Sequence, residues 1–89
     1  MSNEQRLVGT WQVVSDAGDD SIQTLVFNSD GSGIVTYISD NTRKFTYGAA
    51  GNKLVMLGDG WEYSISSDSR VLILFRTTGG YSYLFRRTR

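Results

Sequence analysis

Apolar and polar residues alternate along this chain in short runs, and each run ends at a cluster of Gly, Asp, Asn and Ser. Those clusters are SDAGDDS (15–21), NSDGSG (28–33), SDNT (39–42), GAAGN (48–52), GDG (58–60), SSDS (66–69) and TTGG (77–80). Proline is absent, so these residues carry the turns. Between them lie runs rich in Val, Ile, Thr, Tyr, Phe and Trp, the composition of half-buried strands. The pattern predicts eight strands, at about 7–15, 21–28, 33–39, 43–47, 53–58, 60–66, 70–77 and 80–87. Connections of hairpin length favour an up-and-down meander over a Greek key, which needs one long return. Joining the first strand to the last removes both exposed edges. The expected fold is therefore all-β, an eight-stranded antiparallel up-and-down β-barrel without substantial helix, formed by residues 1–89 as one domain. NEQRL is the one stretch before the first strand with a helical turn in it.

Period-two alternation assigns most inward faces. Strand one offers Leu7, Gly9, Trp11 and Val13, and strand two Leu25 and Phe27. Strand four offers Phe45 and Tyr47, and strand five Leu54 and Met56. Trp61, Tyr63 and Ile65 follow on strand six, and Tyr81, Tyr83 and Phe85 on strand eight. Strands three and seven read both ways. In the seventh, Leu72 and Leu74 face one side while Val71, Ile73 and Phe75 face the other. Gly9 shares a face with Trp11, and a glycine inside a strand calls for close approach by something else. The pair is expected to close one end of the barrel.

Composition narrows the chemistry. The chain has 89 residues, no Cys and no His, which removes disulfides, thiol catalysis and the commonest general base. Glu62 is the only acid inside an expected strand, and without a histidine or cysteine partner it makes a poor catalyst. The expectation is a protein that is not an enzyme and needs no cofactor. Asp16, Asp19 and Asp20 crowd one turn, but they lack the calcium-loop pattern and read as turn formers, so no metal is expected. GAAGNK lacks the spacing of a phosphate loop. No apolar run approaches the roughly 20 residues of a membrane span. The start, MSNEQR, does not have the layout of a signal peptide. The compartment stays open, cytoplasmic if Met1 is the native start.

Net charge is zero but unevenly spread: residues 1–69 carry all nine acids, and residues 70–89 carry five arginines and no acid. Arg70, Arg76, Arg86, Arg87 and Arg89 make the last hairpin basic. Nucleic acid is disfavoured as a partner, because net charge is zero and the strand-eight aromatics are expected to face inward.

Gly9-Thr10-Trp11 on the first strand is similar to the GxW motif of lipocalins, and Tyr83-Leu84-Phe85-Arg86-Arg87 to their basic last strand. FNSDGSG, Phe45-x-Tyr47, GNKL at 51–54 and Tyr63-x-Ile65 extend the likeness over nearly the whole chain, which resembles the compact bacterial lipocalin-like domains. The resemblance implies a basic side chain packed across Trp11. Arg87 shares the parity of Tyr83 and Phe85 and is the first choice, with Arg86 second. The resemblance also implies a secreted or periplasmic location if Met1 is not native, and a non-enzymatic carrier of a small apolar or aromatic ligand in a narrow cavity. Tyr37, Tyr47, Met56, Trp61, Tyr63, Tyr81 and Tyr83 are the residues expected to line it.

An alternative of another class is a solidly packed barrel that works by its outer surface, as a protein-interaction or inhibitory module. Val8, Val14 and Leu84 are expected to face outward, joined by one row of strand seven, here Ile73 and Phe75. Those strands neighbour one another in a closed barrel, and a contiguous apolar patch marks an interface. A homodimer is the default geometry.

Overall fold

The computed structural model describes residues 3–16, 22–37, 39–80 and 82–88. A five-residue helix, α1 (Asn3–Leu7), precedes β1 (Gly9–Asp16), β2 (Ile22–Phe27), β3 (Ser32–Tyr37), β4 (Thr42–Ala50), β5 (Lys53–Met56), β6 (Asp59–Ile65), β7 (Val71–Arg76) and β8 (Ser82–Arg87). Each strand pairs antiparallel with the next, and β8 returns to β1, giving a closed barrel in the order β1-β2-β3-β4-β5-β6-β7-β8. This is the all-β up-and-down architecture that the alternating pattern predicts. Closure leaves no strand edge exposed.

Cross-strand partners settle the two ambiguous strands. Leu72 lies opposite Phe85 and Leu74 opposite Tyr83, and all four are buried. Ile73 and Phe75 therefore face outward. On β3, Val35 is buried and Gly33 lies beneath the Phe45 ring. A Cβ at Gly33 would come within 2.5 Å of that ring and 2.6 Å of the Val26 carbonyl oxygen. Glycine stands there because the ring and a neighbouring strand occupy the space a side chain would need.

Three departures from simple alternation have local causes. The β1–β8 register shifts between Val13 and Ser15, so Val14 stands out of the ladder and is exposed. A second shift, between Ile22 and Thr24 on β2, turns Ile22 into the core although it does not share the parity of Leu25 and Phe27. Leu7 is fully buried, as its apolar character suggests, but it ends α1 instead of opening β1. Between them the chain bends at Gly9, whose φ of 140° is a conformation that glycine adopts without strain.

Aromatic rings meet one another inside the barrel. Phe27 meets Phe45 and Tyr47 edge-on, with ring centroids 5.9 and 4.9 Å apart. Toward the other end, Trp61 lies 5.8 Å from Tyr83, which stacks at 6.1 Å on Phe85. Trp11, Leu25, Val35, Leu72, Leu74 and Phe85 are completely covered. No buried residue among those described is polar or charged, apart from the tyrosine and tryptophan rings.

Candidate functional site

One end of the barrel is closed by α1. A helix leaves its last carbonyls without partners, and here side chains from the first and last strands supply the donors. The Trp11 indole Nε1 donates to the Leu7 carbonyl at 2.9 Å. Arg87 donates from Nη1 to the Val8 carbonyl at 2.8 Å, from Nη2 to the Arg6 carbonyl, and from Nε to the Ser69 carbonyl at 2.7 Å. Its guanidinium carbon lies 4.2 Å from the centre of the Trp11 ring, within cation–π range. A cation at a helix C-terminus also faces the negative end of the helix. Arg6 joins the same cluster, donating to Ser69 Oγ at 2.9 Å and to the Ser66 carbonyl. Burial, and then the neighbouring Arg6, hold the Arg87 guanidinium below the ordinary arginine value. α1, the β6–β7 turn and the start of β1 are thus tied to one planar group.

Of the seven residues expected to line a cavity, Tyr37, Trp61 and Tyr83 meet at one recess, and the others do not join them. Met56, Trp61, Tyr63 and Tyr83 are buried in the interior. The Trp61 indole donates to the Met56 carbonyl at 3.3 Å. Tyr47 sits at the closed end, where its hydroxyl donates to the Asn28 carbonyl at 2.6 Å. Burial, and then the charge of Asp30, push its phenol pKa up. Tyr37 stands at the open end, and Tyr81 lies outside the described residues. The open end retains a recess of about 120 Å³ bordered by Ile22, Tyr37, Leu57, Trp61 and Tyr83, with Arg43, Asp59 and Arg76 at its rim. Arg76 Nη2 and Asp59 Oδ2 pair at 3.0 Å across it. Sequence reading missed this rim, because Arg43, Leu57 and Asp59 come from separate strand ends and turns and form no local motif.

The outer face of β7 and β8 carries the largest apolar display. Ile73 is 46% exposed, Phe75 42% and Val14 53%. Ile73 lies directly opposite Leu84, and Leu84 opposite Ser15, so the row continues from β7 across β8 to the bulge that presents Val14. Val71 and Leu84 are half-buried on the same face. Val8 does not belong to it. The chain turns at Gly9, so β1 alternation does not extend back to Val8, which borders a recess with Gln5, Tyr47 and Ala49. Val55 is 61% exposed on β5, flanked by Gly48 and Gly60, and stands alone.

No group of three or more acidic residues able to hold a metal ion occurs among the described residues. No helix among them is long and apolar enough to cross a membrane. No family model matches the chain, and no curated protein matches it.

Proposed function

We infer that the protein is a non-enzymatic, lipocalin-like binding module whose barrel is a solid scaffold and whose working surface is the outside of β7, β8 and β1. The observation that carries this reading is the exposed apolar row, Val14, Ile73, Phe75 and Leu84, on a barrel whose inward rings are buried against one another. On this reading side chains occupy the volume a carrier would leave for its ligand, and tight packing of that kind is costly to open. The occupant of the row is a second copy of the chain. The four residues are apolar, and the adjoining charges, Glu62 opposite Phe75 and Arg86 opposite Val71, lie at the edges of the row. A two-fold axis near Ile73 and Leu84 keeps the two Arg86 side chains at opposite ends of the contact.

The size of the face sets the strength. Three strands spaced about 4.8 Å apart and about 17 Å long give a face of about 250 Å² per copy. The total of about 500 Å² is less than half the lower limit of about 1,200 Å² for stable complexes, so the dimer is weak and concentration-dependent. Sedimentation velocity across a dilution series tests this. The native chain is expected to gain mass with concentration, and Phe75→Lys to remain a folded monomer. A native chain that stays monomeric at every concentration contradicts the reading.

A second reading rests on the open-end recess. Trp61, Tyr83 and Ile22 offer an apolar floor and Arg43 a cation at the rim. A recess of about 120 Å³ holds only a small ligand or the tip of a larger one. Uptake of a hydrophobic dye that quenches Trp61 favours this reading over the first.

A further inference from the structure

A recess lies at the closed end and shares Ser69 and Arg87 with the clamp. It measures about 580 Å³ and is bordered by Ser69, Arg70, Val71, Arg86, Arg87 and Thr88, with Asp68 at its edge. The arginines around it divide into two kinds. Arg6 and Arg87 are engaged by the fold, holding α1 and the β6–β7 turn. Arg70 and Arg86 are exposed, and no hydrogen bond from either guanidinium and no ion pair to either is found among the described residues. The ion pairs found there lie elsewhere, Lys53 with Glu62 and Arg76 with Asp59.

Arg70 and Arg86 both border the recess, Arg86 on β8 and Arg70 just before β7, opposite Arg87. Val71 lies opposite Arg86, and the Arg87 amide donates to the Arg70 carbonyl at 2.8 Å. The one acid at the recess, Asp68, is turned to its own loop. It accepts from Ser66 Oγ and from the Arg70 amide, and these bonds hold its carboxyl below the usual range. Its charge balances one cation of four. The charge of Arg70 also helps to lower the Asp68 carboxyl, though no ion pair between the two is found among the described residues.

We propose that this recess binds a phosphate monoester of a small molecule, with Arg70 and Arg86 holding the phosphoryl oxygens. Planar guanidinium groups match phosphate oxygens two at a time, which suits them to this ligand better than a point charge. The recess is several times larger than a bare phosphate, and half-buried Val71 supplies an apolar wall for the organic part of the ester. This site meets the end of the β7–β8 apolar row at Val71, and its test is run below the concentration of self-association so that the two are read apart.

The experiment is a titration of the 15N-labelled chain, below the concentration of self-association and at constant ionic strength, with phenyl phosphate, inorganic phosphate and sodium chloride in turn. Phenyl phosphate is expected to give saturable shifts confined to the amides of 69–71 and 86–88, with inorganic phosphate binding the same residues more weakly. Arg70→Gln and Arg86→Gln are each expected to weaken binding about tenfold, as loss of a charged hydrogen bond implies. Both positions are exposed, and unchanged tryptophan emission verifies that the variants fold. Shifts reproduced by sodium chloride, or unaffected by either substitution, overturn the proposal. Equal affinity for inorganic phosphate overturns the ester. Binding only to vesicles of phosphatidylcholine and phosphatidylglycerol, or only to an oligonucleotide, assigns the cations to a bilayer or a polyanion and likewise overturns it.

Discussion

Arg87→Ala removes three hydrogen bonds and a ring contact from one place. The three carbonyls lie at a partly solvated end, so water replaces some of the lost donors. Each bond is then worth about 0.5–1 kcal/mol, toward the low end of the usual range. The cation–π contact with Trp11 adds about 1 kcal/mol. Together the substitution costs about 2.5–4 kcal/mol. A chain of this length has a total stability of roughly 4–13 kcal/mol. The variant is expected to fold, with its urea midpoint lowered by about 2–4 M at the slope of about 1–1.5 kcal/mol/M expected of a small domain. Arg87→Lys keeps the charge but loses the planar fork, and is expected to recover no more than about 1 kcal/mol. Arg86→Ala, one residue away on the exposed face, is expected to change stability by less than about 0.5 kcal/mol. Equilibrium urea unfolding followed by tryptophan emission reads all three. Equal midpoints for Arg87→Ala and Arg86→Ala would refute the clamp, because the two then differ only in name.

Two further effects follow from local geometry. Gly33→Ala places a methyl group against the Phe45 ring and the Val26 carbonyl, and is expected to destabilise by about 2–3 kcal/mol in the same urea assay; a loss below about 0.5 kcal/mol contradicts the close approach. Asp30 and Asp68 have folded-state pKa values below the ordinary 3.8, mainly through hydrogen bonds from Ser32 and Ser66. Their contribution to stability is therefore complete above that value and lost as pH falls through the lowered ones. Acid titrations should show Asp30→Asn and Asp68→Asn with a smaller loss of stability below pH 3.8 than the native chain, and identical acid profiles would contradict the assignment.

The alternation of apolar residues made the strand count and the up-and-down order legible, because period two and hairpin-length turns leave few other arrangements. It failed where both faces of a run are apolar. VLILF on β7 is such a run, and only the inward rings of Tyr83 and Phe85 across the ladder decide which row is buried. It failed again at the bulges, where one extra residue reverses parity, so that Ile22 turns in and Val14 stands out. Alternation also fails at Val8, which lies between the end of α1 and the bend at Gly9. The geometry around Trp11 and Arg87 shows what the motif alone did not, that the indole N–H and the guanidinium supply donors to the carbonyls at the end of α1. The cavity residues were the least legible. Inward parity says that a side chain enters the barrel, but not whether its neighbours leave space. Here Met56, Trp61, Tyr63 and Tyr83 are buried, Trp61 and Tyr83 border the open-end recess with Tyr37, and Tyr47 lies at the opposite end.

The most direct test of a solid barrel that works through its outer face is a dilution series of 15N-labelled protein read by amide chemical shifts. The account predicts concentration-dependent shifts confined to Val14, Ile73, Phe75 and Leu84 and their strand neighbours, with the inward-facing amides of β2 and β5 unmoved. Shifts independent of concentration, together with large changes at Trp61 and Tyr83 on adding a hydrophobic dye, would contradict it and return the function to the interior.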